Sequence, residues 1–290
     1  MTAPRDGWVR VGDIRLHYRD WGGTGELIVL LHGLASNCRY WDLVAPILSE
    51  SFAVVALDQR GHGESDKPDD GYDFATVASD LRGFIGDLGL NRPLLVGHSW
   101  GGDVVLELAA GWPSATRGIC LIDGGVSEIS AAPGISREEA RIMMTPPDLT
   151  ALTAEQLLEG ARSHWTFDAS AIARLEGFLL ASFEVQADGT VRPRLSRINH
   201  MKIVDELWRH KPSQIFSSVT CPVLLMPARQ DGEGAQDDRG FRQQESIARA
   251  ESLLPASKTF WMEDSIHDVP LQRPELVAKV IGDHVRNGFF

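Results

Sequence analysis

Several short apolar runs in this chain do not alternate with polar residues. Leu27 to Leu31, Phe52 to Leu57, Pro93 to Val96 and Ile119 to Ile122 are of this kind, and Val223 to Met226 repeats the pattern far downstream. A strand with one wet face alternates with a period of two, whereas an unbroken apolar run marks a strand covered on both faces. Helical stretches such as Thr76 to Leu88 and Trp100 to Ala110 lie between the early runs. Strands and helices in that order build a mostly parallel sheet with helices on both sides. The chain opens differently: Trp8 to Val11 and Ile14 to Tyr18 alternate around Gly12-Asp13, which predicts a hairpin. Lys258 to Met262 supplies one more candidate strand.

The alternation stops between about Val126 and Pro212. No apolar strand run appears there, and Ala154 to Trp165, Ala169 to Phe183 and Ile198 to Arg209 carry helical spacing. The simplest arrangement is one sheet domain made from residues 1–125 and 213–290, with a helical cap of residues 126–212 inserted after the sixth strand. Composition removes several function classes. With 40 acids against 28 bases the net charge is −12, which argues against nucleic acid and against an anionic membrane. Cys38, Cys120 and Cys221 are too few and too scattered for a disulfide framework or a zinc site. The first residues lack the apolar core of a signal peptide, and no run reaches the roughly 18 apolar residues of a spanning helix. The expectation is a cytoplasmic protein whose partner is a small molecule; the sequence leaves its oligomeric state open.

Gly97-His98-Ser99-Trp100-Gly101 follows one apolar run directly and leads directly into a helical stretch. A nucleophile on a sharp strand-to-helix turn sits in strained backbone, so small residues are needed two positions to either side. Gly97 and Gly101 fill those positions, which makes Ser99 a candidate nucleophile. A serine hydroxyl is a poor nucleophile at neutral pH. It needs a base within hydrogen-bond reach, and the base needs an orienting carboxylate.

The chain resembles the α/β-hydrolase superfamily over essentially its whole length. Four blocks carry the likeness: His32-Gly33-Leu34-Ala35-Ser36-Asn37, Asp58-Gln59-Arg60-Gly61-His62-Gly63-Glu64-Ser65, the turn at Ser99, and a histidine after the last strand, His267. The resemblance implies an α/β fold with a mostly parallel eight-stranded sheet flanked by helices and a helical cap after strand six. In chain order it implies nucleophile, acid, then histidine. His267, between the last strand and the terminal helix, matches the base. Asp231, in the loop after the Val223 run, falls on the usual acid position; Asp123, at the end of strand six, is the alternative, since some members draw the acid from there. The backbone N–H groups of Trp100 and Leu34 match the oxyanion donors. Leu34, Trp100, Trp165 and Phe178 are expected to line a mainly apolar substrate pocket. His98 reads as a packing residue, His17 and His284 as surface residues, and Arg192, Arg194 and Arg197 as a solvated loop.

The resemblance implies a cofactor-independent serine hydrolase of a carboxylic ester or lactone of a small to medium apolar molecule. The same triad serves carbon–carbon bond hydrolases and acyltransferases, and some receptors keep the scaffold to bind ligand without turnover. Dehalogenases and epoxide hydrolases of this fold use an aspartate where Ser99 stands. The epoxide enzymes also need cap tyrosines, whereas Tyr18, Tyr40 and Tyr72 all lie outside the cap. Both readings are rejected on these residues. No H-x-x-x-H or paired-cysteine pattern suggests a metal, and the glycines at the turn lack the spacing of a nucleotide-binding loop.

Overall fold

The computed structural model describes residues 3–163, 169–229 and 238–290. The strands in chain order are β1 (Arg5–Val11), β2 (Ile14–Gly22), β3 (Leu27–Leu31), β4 (Ala53–Leu57), β5 (Leu94–His98), β6 (Gly118–Ile122), β7 (Phe183–Val185), β8 (Val191–Pro193), β9 (Val223–Met226), β10 (Ala228–Arg229), β11 (Ser257–Thr259) and β12 (Met262–Glu263). The helices are α1 (Ala45–Leu48), α2 (Phe74–Asp87), α3 (Trp100–Gly111), α4 (Arg137–Met143), α5 (Ala154–Arg162), α6 (Ala169–Ala181), α7 (Arg197–Arg209), α8 (Asp238–Leu253), α9 (Val269–Gln272) and α10 (Pro274–Arg286).

Eight strands form one sheet in the order β1-β2-β4-β3-β5-β6-β9-β11. The β1–β2 and β2–β4 pairs are antiparallel, and the rest are parallel. The unbroken apolar runs divide their side chains between two cores. Val29, Leu31, Val55, Leu57, Leu95 and Leu121 face one side, where α2 and α3 pack. Ile28, Leu30, Val54, Ala56, Leu94 and Cys120 face the other, against α1 and α10. A period of two thus persists, with both faces apolar because both are covered. His17, expected at the surface, is buried instead, because β2 lies within the sheet and its Nδ1–H donates to Asp58 Oδ2 at 2.8 Å.

Register decides what meets at the sheet edge. Leu31 pairs with Gly97, His98 with Ile122, and Ile122 with Met226. The residues that follow these pairs, including His32, Ser99, Asp123 and Pro227, therefore emerge side by side at the carboxyl ends of parallel strands. In open α/β sheets this is the edge where ligands bind.

Between β6 and β9 the chain makes the cap: α4 to α7 plus one antiparallel hairpin, β7–β8. The hairpin departs from the all-helical expectation. Its strands are three residues each, too short for a periodic signal, and the turn is made locally. Asp188 accepts the Thr190 backbone N–H at 3.0 Å and its hydroxyl at 2.6 Å, and Gly189 takes φ +84°. Phe183 and Val191 then bury with Leu157 in a small core of the cap's own. The cap docks through Asn37, whose amide donates to Phe178 O at 3.0 Å and Ser182 Oγ at 2.8 Å. No described helix is long and apolar enough to cross a membrane.

Candidate active site

Ser99 sits between β5 and α3 with φ +52° and ψ −126°, a conformation that L-residues rarely take. The glycines around it are needed for clearance. A side chain at Gly97 would run into the carbonyl of Gly101, and one at Gly101 would meet His32 O. Ser99 N–H donates to Ile122 O at 3.0 Å, and Ser99 O accepts from Gly102 N–H at 2.8 Å, so neighbouring chain holds the turn from both sides. Trp100 opens α3, and its backbone N–H has no acceptor within the helix.

The loop after β3 lies over this turn, where a Cβ on Gly33 would stand 3.0 Å from Ser99 Cβ. His32 Nδ1–H donates to Gly33 O at 2.8 Å, and Ala35 N–H donates to His62 Nε2 at 3.2 Å. Because the peptide unit is planar and trans, fixing the Gly33 carbonyl also fixes the opposite direction for the Leu34 N–H. Burial pushes both histidines down, His62 to about 3, so each stays neutral and keeps one donor and one acceptor.

His267 follows β12, and its Nδ1–H donates to Asp123 Oδ2 at 2.6 Å. That bond leaves the lone pair of the neutral ring on Nε2. Burial lowers the pKa of His267, but the hydrogen bond and charge of Asp123, with Asp268 behind, outweigh it, and the ring titrates above its ordinary value. His98 steadies the same segment: its Nε2–H donates to His267 O at 2.9 Å while its ring stacks on Tyr40. Burial and the nearby His267 push His98 down to about 4, so the ring is neutral and weakly basic.

Asp123 ends β6 with φ +45°. Its Oδ1 accepts Ala228 N–H at 3.0 Å and the Gln243 amide at 2.8 Å, which leaves Oδ2 to His267. Asp231, the first sequence candidate for the acid, and Trp165, a pocket candidate, both lie outside the described residues. Gln243 was missed because nothing about a glutamine on an amphipathic helix distinguishes it in sequence. We expect Gln243→Leu to lower kcat about tenfold through loss of carboxylate orientation while the fold is retained. Steady-state kinetics on the purified variant check this, and an unchanged kcat would mean that Ala228 N–H suffices.

Ser99, Asp123 and His267 all line one cavity of about 920 Å³ together with Leu34 and Trp100. Its cap-side wall includes Val126, Ile129, Ile135, Met143, Met144 and Leu207. Phe178, expected to line the pocket, is not among the residues lining this cavity. It packs edge-on against Tyr40, 5.6 Å between ring centres, because α6 docks on the loop after β3 and not over Ser99. Arg192 and Arg194 pair with Glu184 and Glu64, away from the cavity.

Among the described residues, one buried group has metal-ligand types close together: His17, Cys38 and Asp58, within 4.8 Å. Asp58 is held by protein donors, namely Cys38 N–H at 2.6 Å, Glu64 N–H at 2.8 Å and His17. Burial opposes its charge, but the His17 bond and nearby His32 hold the carboxyl well below the usual range. These hydrogen bonds tie the turn after β4 to the loop after β3.

Residues 28–280 match the sequence pattern of the alpha/beta hydrolase family. The chain belongs to that family. The hydrolase is 28% identical over 278 residues to 2-(acetamidomethylene)succinate hydrolase of Mesorhizobium japonicum, covering 96% of this chain and 94% of that protein. A crystal structure of E-2-(acetamidomethylene)succinate hydrolase superposes with a TM-score of 0.78 at 24% identity, covering 98% and 99% of the two chains. The soluble epoxide hydrolase of a Corynebacterium species is 40% identical, but over 99 residues, 34% of each chain.

Proposed function

We propose that this hydrolase cleaves a carboxylic ester or lactone of a small to medium apolar molecule through an acyl-enzyme on Ser99. The observation that carries the reading is the His267–Asp123 pair, 2.6 Å apart, facing the same cavity as a serine on a strained strand-to-helix turn. Asp123 keeps the proton on His267 Nδ1, so Nε2 takes the Ser99 proton as Oγ attacks the carbonyl carbon. The new C–O bond pushes the carbonyl electrons onto oxygen, and the Leu34 and Trp100 N–H groups donate to that oxyanion; the Trp100 donor adds the favourable end of the α3 dipole. Collapse expels the alcohol, which takes the proton from Nε2. Water then repeats the cycle, with His267 as base, and releases the acid.

This mechanism has a pH signature. His267 must be neutral to act, and its pKa is raised by Asp123, so kcat/KM rises with pH through a midpoint above 6.5. A pH–rate profile with the midpoint below that value would contradict the assignment of base and acid together.

The full-length likeness to a 2-(acetamidomethylene)succinate hydrolase favours a second reading, in which the same triad cleaves an amide bond of an acetamido compound. Parallel assays of p-nitrophenyl acetate, an aliphatic lactone and 2-(acetamidomethylene)succinate separate the two. Higher kcat/KM on either of the first two supports the ester or lactone reading, and preference for the third supports the amide. Tight binding of any of them with no turnover would overturn both and leave a receptor.

A further inference from the structure

Tyr40 lies on the short helical turn Cys38–Trp41 in the loop after β3, and its side chain is buried. Its hydroxyl donates to Asp268 Oδ1 at 3.2 Å, and its oxygen accepts the Nε2–H of His98, also at 3.2 Å. The two rings stack with centres 4.7 Å apart. The same Nε2–H of His98 reaches His267 O at 2.9 Å, and the His98 ring lies 4.8 Å, centre to centre, from that of His267. Tyr40 and His98 therefore grip two consecutive residues, His267 by its carbonyl and Asp268 by its carboxylate. The mechanism proposed above uses neither Tyr40 nor Asp268.

The polar groups of this cluster are committed in one direction. His98 Nδ1 is buried and has no partner among the described residues, while two oxygens face Nε2. The neutral ring therefore carries its proton on Nε2, and Tyr40 is left to give its own proton to Asp268. Asp268 occupies the N-cap of α9, where an aspartate ordinarily accepts a helix N–H, yet its side chain makes no capping bond. Its Oδ1 goes to Tyr40 instead. Neither Tyr40, His98 nor Asp268 lines the cavity that Ser99 and His267 share, so contact with substrate does not account for them. His267 needs such support. Asp123 orients its ring, but the ring hangs half-exposed from a loop, and its distance from Ser99 is set by the main chain.

We propose that Tyr40 is a positioning residue for the reaction: with His98 it fixes the chain at His267 and Asp268, and so sets where the base stands relative to Ser99. The inference rests on the reading of His267 as the base. It goes beyond that reading in giving the loop after β3 a part in placing the base. Tyr40 also receives the edge of Phe178 from α6, and Asn37, which caps the Tyr40 turn, donates to Phe178 O and Ser182 Oγ. The seat of the cap and the seat of the base thus meet on one side chain.

The test compares Tyr40→Phe, Asp268→Ala, Asp268→Asn, the double variant Tyr40→Phe with Asp268→Ala, and His267→Gln in the full chain, each checked for folding by thermal melting. Tyr40→Phe keeps the ring contacts and removes only the hydroxyl. We expect it to lower kcat about tenfold, less than the roughly 10²-fold of a 1 Å misplacement because His98 still holds His267 O, with KM nearly unchanged. The low-field proton resonance of His267 Nδ1–H should shift or broaden with it. Both substitutions at Asp268 remove its charge, so the difference between them isolates the bond to Tyr40. Asp268→Asn, whose amide oxygen still accepts the hydroxyl, should keep a higher kcat than Asp268→Ala. Asp268→Ala should also cost less in the Tyr40→Phe background than in wild type, as for two groups sharing one interaction. Wild-type kcat with an unchanged resonance in Tyr40→Phe would overturn the proposal, leaving a packing contact only. An equal cost of Asp268→Ala in both backgrounds would overturn it as well. Should Tyr40→Phe not fold, Asp268→Ala and Asp268→Asn are read on the same two signals, and identical values in the two count against it. His267→Gln separates the layers: if it leaves turnover intact, the reading of the base has failed. If it collapses turnover while the other variants match wild type, only the role of Tyr40 has.

Discussion

Replacing Ser99 with alanine should reduce hydrolysis of an activated ester by about 10⁴- to 10⁶-fold, the range seen when a nucleophile is removed from an otherwise intact triad. The reason is local. Among the described residues, no other hydroxyl is presented on a strained turn at the carboxyl edge of the sheet, beside both a helix N-terminus and the loop of Gly33 and Leu34. Alanine has no atom to form the acyl bond, while the pocket and the oxyanion donors stay in place. What rate remains is the contribution of binding and polarisation alone. The fold should survive, because Ser99 holds its place through its backbone, by bonds to Ile122 O and from Gly102 N–H. The measurement is steady-state turnover of p-nitrophenyl acetate by wild type and variant, with labelling by a fluorophosphonate. Equal rates, or labelling of the variant at another residue, would remove Ser99 from its role.

The second large effect separates the two candidate acids. Asp123→Asn should lower kcat by about 10⁴-fold, as expected when the orienting carboxylate becomes an amide. An asparagine that turns its NH2 toward His267 meets Nδ1 as an acceptor, which moves the ring proton to Nε2. The base then has no lone pair facing Ser99. The amide oxygen can still accept from Ala228 N–H, so the β6 turn keeps that tie and the variant should fold. The same substitution at Asp231 should leave turnover largely unchanged, since the carboxylate that His267 holds is Asp123. Collapse at Asp231 with activity retained at Asp123 would reverse the assignment.

Both aspartates were legible as candidates, and the reason sequence could not choose between them is topological. β6 and β9 are parallel neighbours, with Ile122 paired to Met226 and Asp123 N–H donating to Met226 O at 3.1 Å. The loops after both strands therefore leave the same edge, and chain order places either carboxylate between nucleophile and histidine. In the structure the left-handed turn at Asp123, with Ala228 and Gln243 occupying one oxygen, presents its other oxygen to His267.

The sequence by itself determined the strands buried on both faces, the interruption by a cap, the serine on a glycine-flanked turn and the histidine after the last strand. Each is written in local spacing: apolar runs without alternation, small residues two positions either side of Ser99, and chain order. Tertiary structure alone decided that the Asp123 carboxylate meets His267, that Phe178 packs on Tyr40, and that His210 is a buried imidazolium against α3. These depend on pairs more than 80 residues apart in the chain, such as Asp123 with His267 and Asp103 with His210. Such pairs are set by strand register and by how the cap returns to the sheet, and spacing along the chain carries no trace of either.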